Sequence, residues 1–156
     1  MTDAQGDVSL DTGSGDVVVS KVKGTELLLD TGSGSVTVDD VDVENLNVDS
    51  GSGDVELRGV RAKDVELDTG SGSVELQLLS DVEQLRVDTG SGGITVSIPE
   101  SLGAEFSFET GSGGIEVDFP VTVTRRGRRE MSGTIGDGKG RMVIESGSGG
   151  IRLRRS

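Results

Sequence analysis

A five-residue motif, [DE]-[TS]-G-S-G, constrains the fold of this chain more than any other feature. Its seven copies start at Asp11, Asp30, Asp49, Asp68, Asp88, Glu109 and Glu145. Successive starts are 19, 19, 19, 20, 21 and 36 residues apart. A period near 19 with glycines at fixed offsets is typical of proteins in which each repeat forms one rung of a stack. Residues shared by all copies are therefore expected, first of all, to hold that stack together.

The residues on both sides of each motif alternate between apolar and polar, as they do in β-strands. In the copy around Asp30, Leu27 and Leu29 share one face before the motif, and Val36 and Val38 share one face after it. The Gly-Ser-Gly segment between them is expected to be a tight corner, since glycine tolerates bends that other residues resist. The sequence thus predicts an all-β fold, a parallel β-solenoid or β-helix of about seven rungs with a C-terminal capping hairpin.

A short third side is predicted after the second strand of each early rung. Val22, Val41, Val60 and Leu79 would point inward there, at equivalent positions of four rungs. In the second rung, a corner at Asp39 and Asp40 would separate this side from the strand before it.

The chain is predicted to be a single domain, residues 1–156. Residues 1–119 would form regular rungs, 120–140 an irregular cap or hairpin, and 141–156 the final rung. In the cap, a strand containing Val121 and Val123 would lead into an arginine-rich tip. Phe106, Phe108 and Phe119 are expected to close the core near this cap.

Composition excludes several classes of site. There is no Cys and no His, so disulfides, thiolate chemistry and Cys or His metal ligands are excluded. Only 31% of the residues are hydrophobic, with three Phe and no Trp or Tyr, which fits a narrow aliphatic column better than a broad globular core. No segment is long and apolar enough for a membrane span, and the N-terminus lacks a signal-peptide core. If the protein is exported, we expect the signal to lie outside this sequence.

The net charge of −13 is unevenly distributed. Residues 1–120 carry 25 acidic and 6 basic residues, whereas residues 121–156 carry 3 acidic and 9 basic ones. An acidic body of this kind argues against binding nucleic acid, whose phosphates it would repel.

The first residues of the seven motifs are expected to form a column of carboxylates. Two such charges ~4.8 Å apart repel each other by roughly 0.9 kcal/mol even in water, so something must offset the repulsion. One reading is that each carboxylate accepts an N–H of its own corner, as in an Asx turn. The other is that Ca²⁺ lies between rungs, because hard cations prefer oxygen ligands. No other cofactor is indicated.

Three further readings of the motif point to chemistry. The segment Leu27–Ser33 matches the hydrophobic-Asp-Thr-Gly-Ser loop of aspartic proteases, but those enzymes need two facing aspartates, and a repeat produces a row. The Thr and Ser at the second motif position could form a glycan- or ice-binding array, although alternation points them inward. A polysaccharide-processing enzyme would need converging acids and bases, which only Asp, Glu, Lys and Arg could supply here.

The basic C-terminal part is a candidate partner-binding surface. Arg125, Arg126, Arg128 and Arg129 lie at the predicted hairpin tip, with Arg141, Arg152, Arg154 and Arg155 further on. The simpler interpretation is a charged cap that prevents other strands from adding to the stack. The alternative is contact with an acidic partner, including the acidic part of a second copy in a head-to-tail chain.

The chain resembles the bacterial putative adhesin family, a group of β-strand-repeat domains of unknown function. The resemblance rests on the repeated D-T-G-S-G units, on the turn Ser132–Gly138, and on the closing segment Met142–Leu153, where Gly150 replaces the Asp typical of the family. It implies a β-solenoid exported or anchored at the cell envelope. It brings no catalytic residues, so we expect a non-enzymatic structural or surface-interaction module that contacts protein or surface glycan.

Overall fold

A computed structural model describes residues 2–80, 82–99, 102–118, 122–127 and 129–155. Their regular secondary structure consists of β-strands, joined by corners and loops. The strands are β1 (Thr2–Gln5), β2 (Val8–Thr12), β3 (Val17–Lys23), β4 (Glu26–Thr31), β5 (Val36–Asp42), β6 (Asn45–Ser50), β7 (Val55–Arg61), β8 (Asp64–Thr69), β9 (Val74–Leu78), β10 (Gln84–Thr89), β11 (Ile94–Ile98), β12 (Ala104–Thr110), β13 (Ile115–Val117), β14 (Thr122–Arg126), β15 (Glu130–Ile135), β16 (Gly140–Ser146) and β17 (Ile151–Arg155). Phe119, Val121 and Arg128, named above, lie outside the described residues.

The strands build two sheets that face each other across one core. Sheet A has the order β1-β3-β5-β7-β9-β11-β17-β13, and sheet B the order β14-β15-β12-β16-β10-β8-β6-β4-β2. Each repeat places the strand before its Gly-Ser-Gly corner in sheet B and the strand after it in sheet A. Neighbouring repeats pair in parallel and in register, as in Leu29↔Val48 and Val38↔Leu57. The predicted parallel β-solenoid is confirmed.

The core is a continuous column of aliphatic side chains between the sheets. Val48, Leu67 and Val87 follow one another in register on sheet B and are all buried. Val38, Leu57 and Leu76 do the same on sheet A. One repeat alone would leave these side chains in water, so the apolar surface is removed from solvent only when repeats stack.

The predicted third side is instead a continuation of the sheet A strands. β3, β5 and β7 run through it, with backbone φ angles of 54° at Lys21, 59° at Asp40 and 63° at Gly59. A residue with positive φ breaks the alternation of faces, so inward side chains are three residues apart there, as in Val38 and Val41. The inward positions were predicted, whereas the separate side was not found.

The prediction for Leu79 is wrong. Leu78 is fully buried and pairs with Val60, whereas Leu79 is 40% exposed. β9 lacks the extra residue of β7, and the register shifts between Leu57 and Val60. Because β9 has no residue with positive φ, its ordinary alternation continues and brings Leu78 inward.

The last repeat of the chain is not the last in space. β16 lies between β10 and β12, and β17 lies between β11 and β13. The end of sheet B is occupied by the predicted hairpin, in which β15 pairs antiparallel with both β12 and β14. The aromatic rings suit this end position. The ring of Phe106 lies against Gly133, where an added Cβ would come within 2.8 Å of it, and its centroid is 4.9 Å from that of Phe108.

Candidate functional site

The carboxylates of the motif form one row on the outer face of sheet B. Adjacent strands place them directly opposite each other, in the spatial order Asp11, Asp30, Asp49, Asp68, Asp88, Glu145, Glu109 and Glu130. We call this row the acidic column; its members are exposed or half-exposed. Sequence reasoning missed Glu130, because it belongs to the hairpin and carries no motif. It joins the column only through its antiparallel pairing with Glu109.

The carboxylates do not close the corners, contrary to the Asx-turn prediction. In the second rung the hydroxyl of Thr31 donates to the carbonyl oxygen of Ser33, at 2.9 Å. The amides of Gly32 and Gly34 donate to carbonyl oxygens of the neighbouring rungs, at 3.0 and 3.1 Å. The reason is geometric: Thr31 points inward and Asp30 outward, so only the hydroxyl faces the corner.

The Thr and Ser residues of the second motif position are buried, as alternation predicts. Thr31, Ser50, Thr69, Thr89, Thr110 and Ser146 are between 1% and 4% exposed. Each donates its hydroxyl to the Ser carbonyl two residues later. Their hydroxyl groups are therefore structural and do not form a glycan- or ice-binding array.

The charges of the acidic column affect one another. Partial burial raises the pKa of the Asp49 carboxyl group above its ordinary value, and the negative charges of Asp68 and Asp30 on the flanking strands raise it further. Asp49 is thus a carboxylate whose ionised form the fold disfavours. A cation or a cationic partner placed against this part of the column would relieve the repulsion.

The geometry of the column limits its chemistry. It is a single file along one sheet, and two facing aspartates of the protease type do not occur in it. Among the described residues, no group of three or more acidic side chains is arranged to hold one metal ion. Calcium between rungs, held by fewer carboxylates, stays a prediction.

The arginines of the hairpin tip lie at one end of the stack. The Arg125 side chain is 77% exposed, and its Nε lies 3.2 Å from Oε1 of Glu130. Arg129 is also exposed. Arg126 belongs to β14, and its side chain, like all of Arg128, is outside what the structure describes.

The remaining arginines do not join that group. Arg141 lies on the outer face of sheet B, between Gln84 and Glu105. Arg152, Arg154 and Arg155 are on β17, in the other sheet. Arg152 pairs with Asp118, with Nη2 and Oδ2 3.1 Å apart. These residues belong to the inserted rung, so the predicted basic terminus is divided between two places.

Three glycines form a shallow groove beside the inserted rung. Gly93, Gly150 and Gly114 follow their corners at the position of Asp16 and Ser35 in early rungs. Their backbone φ angles are ordinary for any residue, and an added Cβ at Gly93 would meet its nearest atom at 3.6 Å. An added Cβ at Gly114 would meet nothing within 4 Å, whereas one at Gly150 would lie 3.3 Å from the Gly114 carbonyl oxygen. The resulting open groove, about 400 Å³ in volume, is also lined by Thr95, Glu116 and Arg152.

The fold and these surfaces define a β-strand repeat protein with regular charged outer faces. The chain belongs to the Toastrack DUF4097 family, whose model matches residues 4–154. It is also similar to a crystal structure described as a putative cell adhesion protein from Clostridium sporogenes ATCC 15579, with a TM-score of 0.60, 15% identity, and coverage of 99% of this chain and 93% of that one. At that identity the likeness shows the fold. A comparison with curated proteins found no match.

These findings agree with the resemblance drawn from the sequence. The family resemblance to bacterial adhesin-like repeat domains is confirmed. Within the described ranges, the structure has no helix long and apolar enough to cross a membrane.

Proposed function

We propose that this chain is a non-enzymatic interaction module of the bacterial cell envelope, in which the acidic column on sheet B meets a positively charged protein segment or an amine-bearing surface glycan. The observation that carries the proposal is the register of the column. Its carboxylates repeat at the strand spacing of ~4.8 Å on a rigid sheet. A regular row of like charges suits an extended, repetitive cation.

The assignment of side chains supports a binding role over a catalytic one. The aliphatic residues are used in the core, and the buried hydroxyls are used in the corners. The carboxylates of the acidic column stand in single file, whereas other outward acidic residues of sheet B, such as Asp64 and Glu66, lie in separate columns of the same face. The neighbour described as a putative cell adhesion protein supports the same role.

Binding to defined polycations tests this proposal. The purified chain is passed over immobilised poly-lysine and over chitosan, and binding is measured at several salt concentrations. The double variant Asp49→Asn/Asp68→Asn is expected to bind at least several-fold more weakly, because it removes two adjacent charges from the column. The matched control is Glu56→Gln/Glu75→Gln, which removes two charges in register on the outer face of sheet A.

Two results would contradict the proposal. One is the absence of binding to either polymer at low salt. The other is equal weakening by both double variants, which would show that only the net charge matters.

Calcium binding is the competing proposal for the same column, favoured by the in-register placement of Asp49 between Asp30 and Asp68. It predicts that millimolar Ca²⁺ raises the melting temperature and that a chelator reverses the effect, whereas Mg²⁺ at the same concentration does much less. Equal shifts with Mg²⁺ and Ca²⁺ would indicate screening of charge only.

A further inference from the structure

The two ends of the stack both carry strands with an unpaired edge. At the N-terminal end of sheet B, no described strand pairs with the outer edge of β2. The corner glycines of this first rung, Gly13 and Gly15, have nothing within 4 Å of an added Cβ, whereas the equivalent Gly32 and Gly34 meet carbonyl oxygens of the preceding rung. The first rung thus has the surface that every later rung uses to receive a neighbour.

At the opposite end, the outer edge of β14 is likewise unpaired among the described strands. Val123 on this strand is 42% exposed, although it belongs to an inner column of the core. It pairs with Gly133, which pairs with Phe106. The same column continues through the stack to Val8 in β2 at the far end.

The direction of β14 is the one that a further parallel repeat requires. β15 runs antiparallel to β12, and β14 runs antiparallel to β15. β14 therefore runs in the same direction as β12 and all the repeats below it. A β2 strand from a second molecule, in the same orientation, would extend sheet B in parallel and place its Val8 over Val123.

The two sheets end at different levels at both ends of the stack. Beyond the last complete rung, sheet B extends by two strands, β15 and β14. Before the first complete rung, sheet A extends by one strand, β1. When a second copy is placed on the first with β2 against β14, its β1 lies level with β14, two strand spacings from β13 of the first copy. Sheet B is then continuous across the junction, and sheet A has one unfilled strand position.

The charges of the two ends are complementary. On the side of sheet B, the first rung presents the exposed carboxylates Asp7 and Asp11, whereas its exposed Lys21 and Lys23 lie in β3 of sheet A. The hairpin end presents the exposed guanidinium groups of Arg125 and Arg129. Opposite charges at the two ends favour head-to-tail contact and disfavour contact between two identical ends.

We propose that copies of this chain associate head to tail, with β2 of one molecule pairing in parallel with β14 of the next and continuing sheet B across the junction. The interface is heterologous and does not close on itself, so the product is an open linear chain of molecules. The proposal does not depend on what the acidic column binds.

Sedimentation velocity over a range of protein concentrations tests this directly. The average mass of the natural protein is expected to rise with concentration past that of a dimer, and to fall when salt is added. Val123→Asp places a charge in the junction at the hairpin end and is expected to keep the protein monomeric. Leu79→Asp is the matched control, since Leu79 is exposed to a similar degree, 40%, but lies away from both ends.

A mixing experiment distinguishes head-to-tail contact from other assemblies. Leu10→Asp blocks the N-terminal end, where Leu10 is half-buried in β2, and Val123→Asp blocks the other end. Each variant alone is expected to be monomeric, while an equal mixture forms dimers and nothing larger. If Leu10→Asp does not fold by circular dichroism, Asp11→Lys replaces it, because Asp11 is exposed.

Three outcomes would overturn the proposal. The natural protein could remain monomeric at every concentration, it could stop at a dimer, or Val123→Asp could associate as readily as Leu79→Asp. A dimer limit would indicate a two-fold interface between identical surfaces.

Discussion

Adjacent residues of one motif have opposite roles in this protein. Thr69 is 1% exposed and donates its hydroxyl to the Ser71 carbonyl oxygen, at 2.9 Å. Asp68, one residue earlier, faces solvent and opposes two other carboxylates across the sheet. The hydroxyl is repeated because each corner needs it. The carboxylate adds repulsion between strands, so its repetition is not explained by stability. This contrast is why the acidic column is the better candidate for function.

Replacing Thr69 with Val should destabilise the protein by about 0.5–1.5 kcal/mol, since the shape is kept and one buried hydrogen bond is lost. Denaturant unfolding followed by circular dichroism measures the change. Thr37→Val, at a half-exposed outer position of β5, is the control and should change the stability very little. A loss of equal size in both variants would show that β-sheet context, and not the corner bond, sets the cost.

Replacing Asp49 with Asn should stabilise the protein at neutral pH. The folded-state pKa of Asp49 lies above its ordinary value of 3.8, so the folded protein holds this proton more tightly than the unfolded chain does. Its contribution is then most favourable below pH 3.8 and is lost as the pH rises through the folded-state pKa. Asp49→Asn should raise the melting temperature at pH 7 and have little effect at pH 3.

The control for this prediction is Asp64→Asn, in a different outward column of sheet B, four residues before Asp68 on β8. Asp64 lies between the neutral side chains of Asn45 and Gln84, so its removal relieves no like-charge pair across the sheet. Melting curves of both variants against pH separate the two cases. A pH-independent gain in Asp49→Asn would refute the electrostatic cause.

At the scale of strands and corners, sequence periodicity predicts some features well and others poorly. The alternation around Leu27 and Leu29 fixes which face of a strand is buried, because a shift by one residue would expose the whole apolar set. Positive φ is harder to predict: the residue type gives no sign of it at Lys21, whereas Asp40 and Gly59 are of types enriched in that region. The Leu78 and Leu79 pair shows the consequence: both are leucine, and only the missing extra residue in β9 decides which is buried.

The corner glycines are expected to differ sharply in their tolerance of substitution. Gly72→Ala should cost several kcal/mol or prevent folding, because φ is 114° there and the new Cβ would overlap the Gly53 carbonyl oxygen. The stability of Gly93→Ala should lie within about 0.5 kcal/mol of that of the natural protein. Its φ is outside the left-handed region, and the new Cβ would be 3.6 Å from the Gly150 carbonyl oxygen. Thermal melting of the two variants, prepared side by side, measures both. A severe loss for Gly93→Ala would imply that the groove is needed for stability.

At the scale of the whole molecule, the order of the rungs could not be predicted from the repeat. A period says that repeats stack on neighbours, and it gives no reason for β16 to lie between β10 and β12. The clue was present in the 36-residue step before Glu145, which indicates an interruption without saying where the chain returns. The acidic column could be predicted because register follows from the motif. Its spatial order could not, because that order depends on where a long connection returns.

Truncation should therefore affect the two ends of the sequence differently. Removing residues 140–156 takes away the strands between β10 and β12 and between β11 and β13, so we expect loss of the cooperative melting transition. Removing residues 1–25 takes away only terminal strands, and the remaining protein should still melt cooperatively at a lower temperature. Calorimetry of both truncated chains checks this. Cooperative melting of the first one would show that β12 can pack directly on β10.

The position of β16 and β17 has a consequence for the order of synthesis. In most stacked repeats each new segment can add to the growing end as it leaves the ribosome. Here β12 and the hairpin are made before β16, the strand that joins them to the body. Ile94 can pair with Val74 at once, but its second partner, Ile151, is made 57 residues later. The early strands can pair as they are made, but β12 and the hairpin cannot join the stack until β16, which pairs with both β10 and β12, has been synthesised. Insertion of β16 and β17 is therefore the step that completes the stack, and the native protein forms only when this segment has entered it.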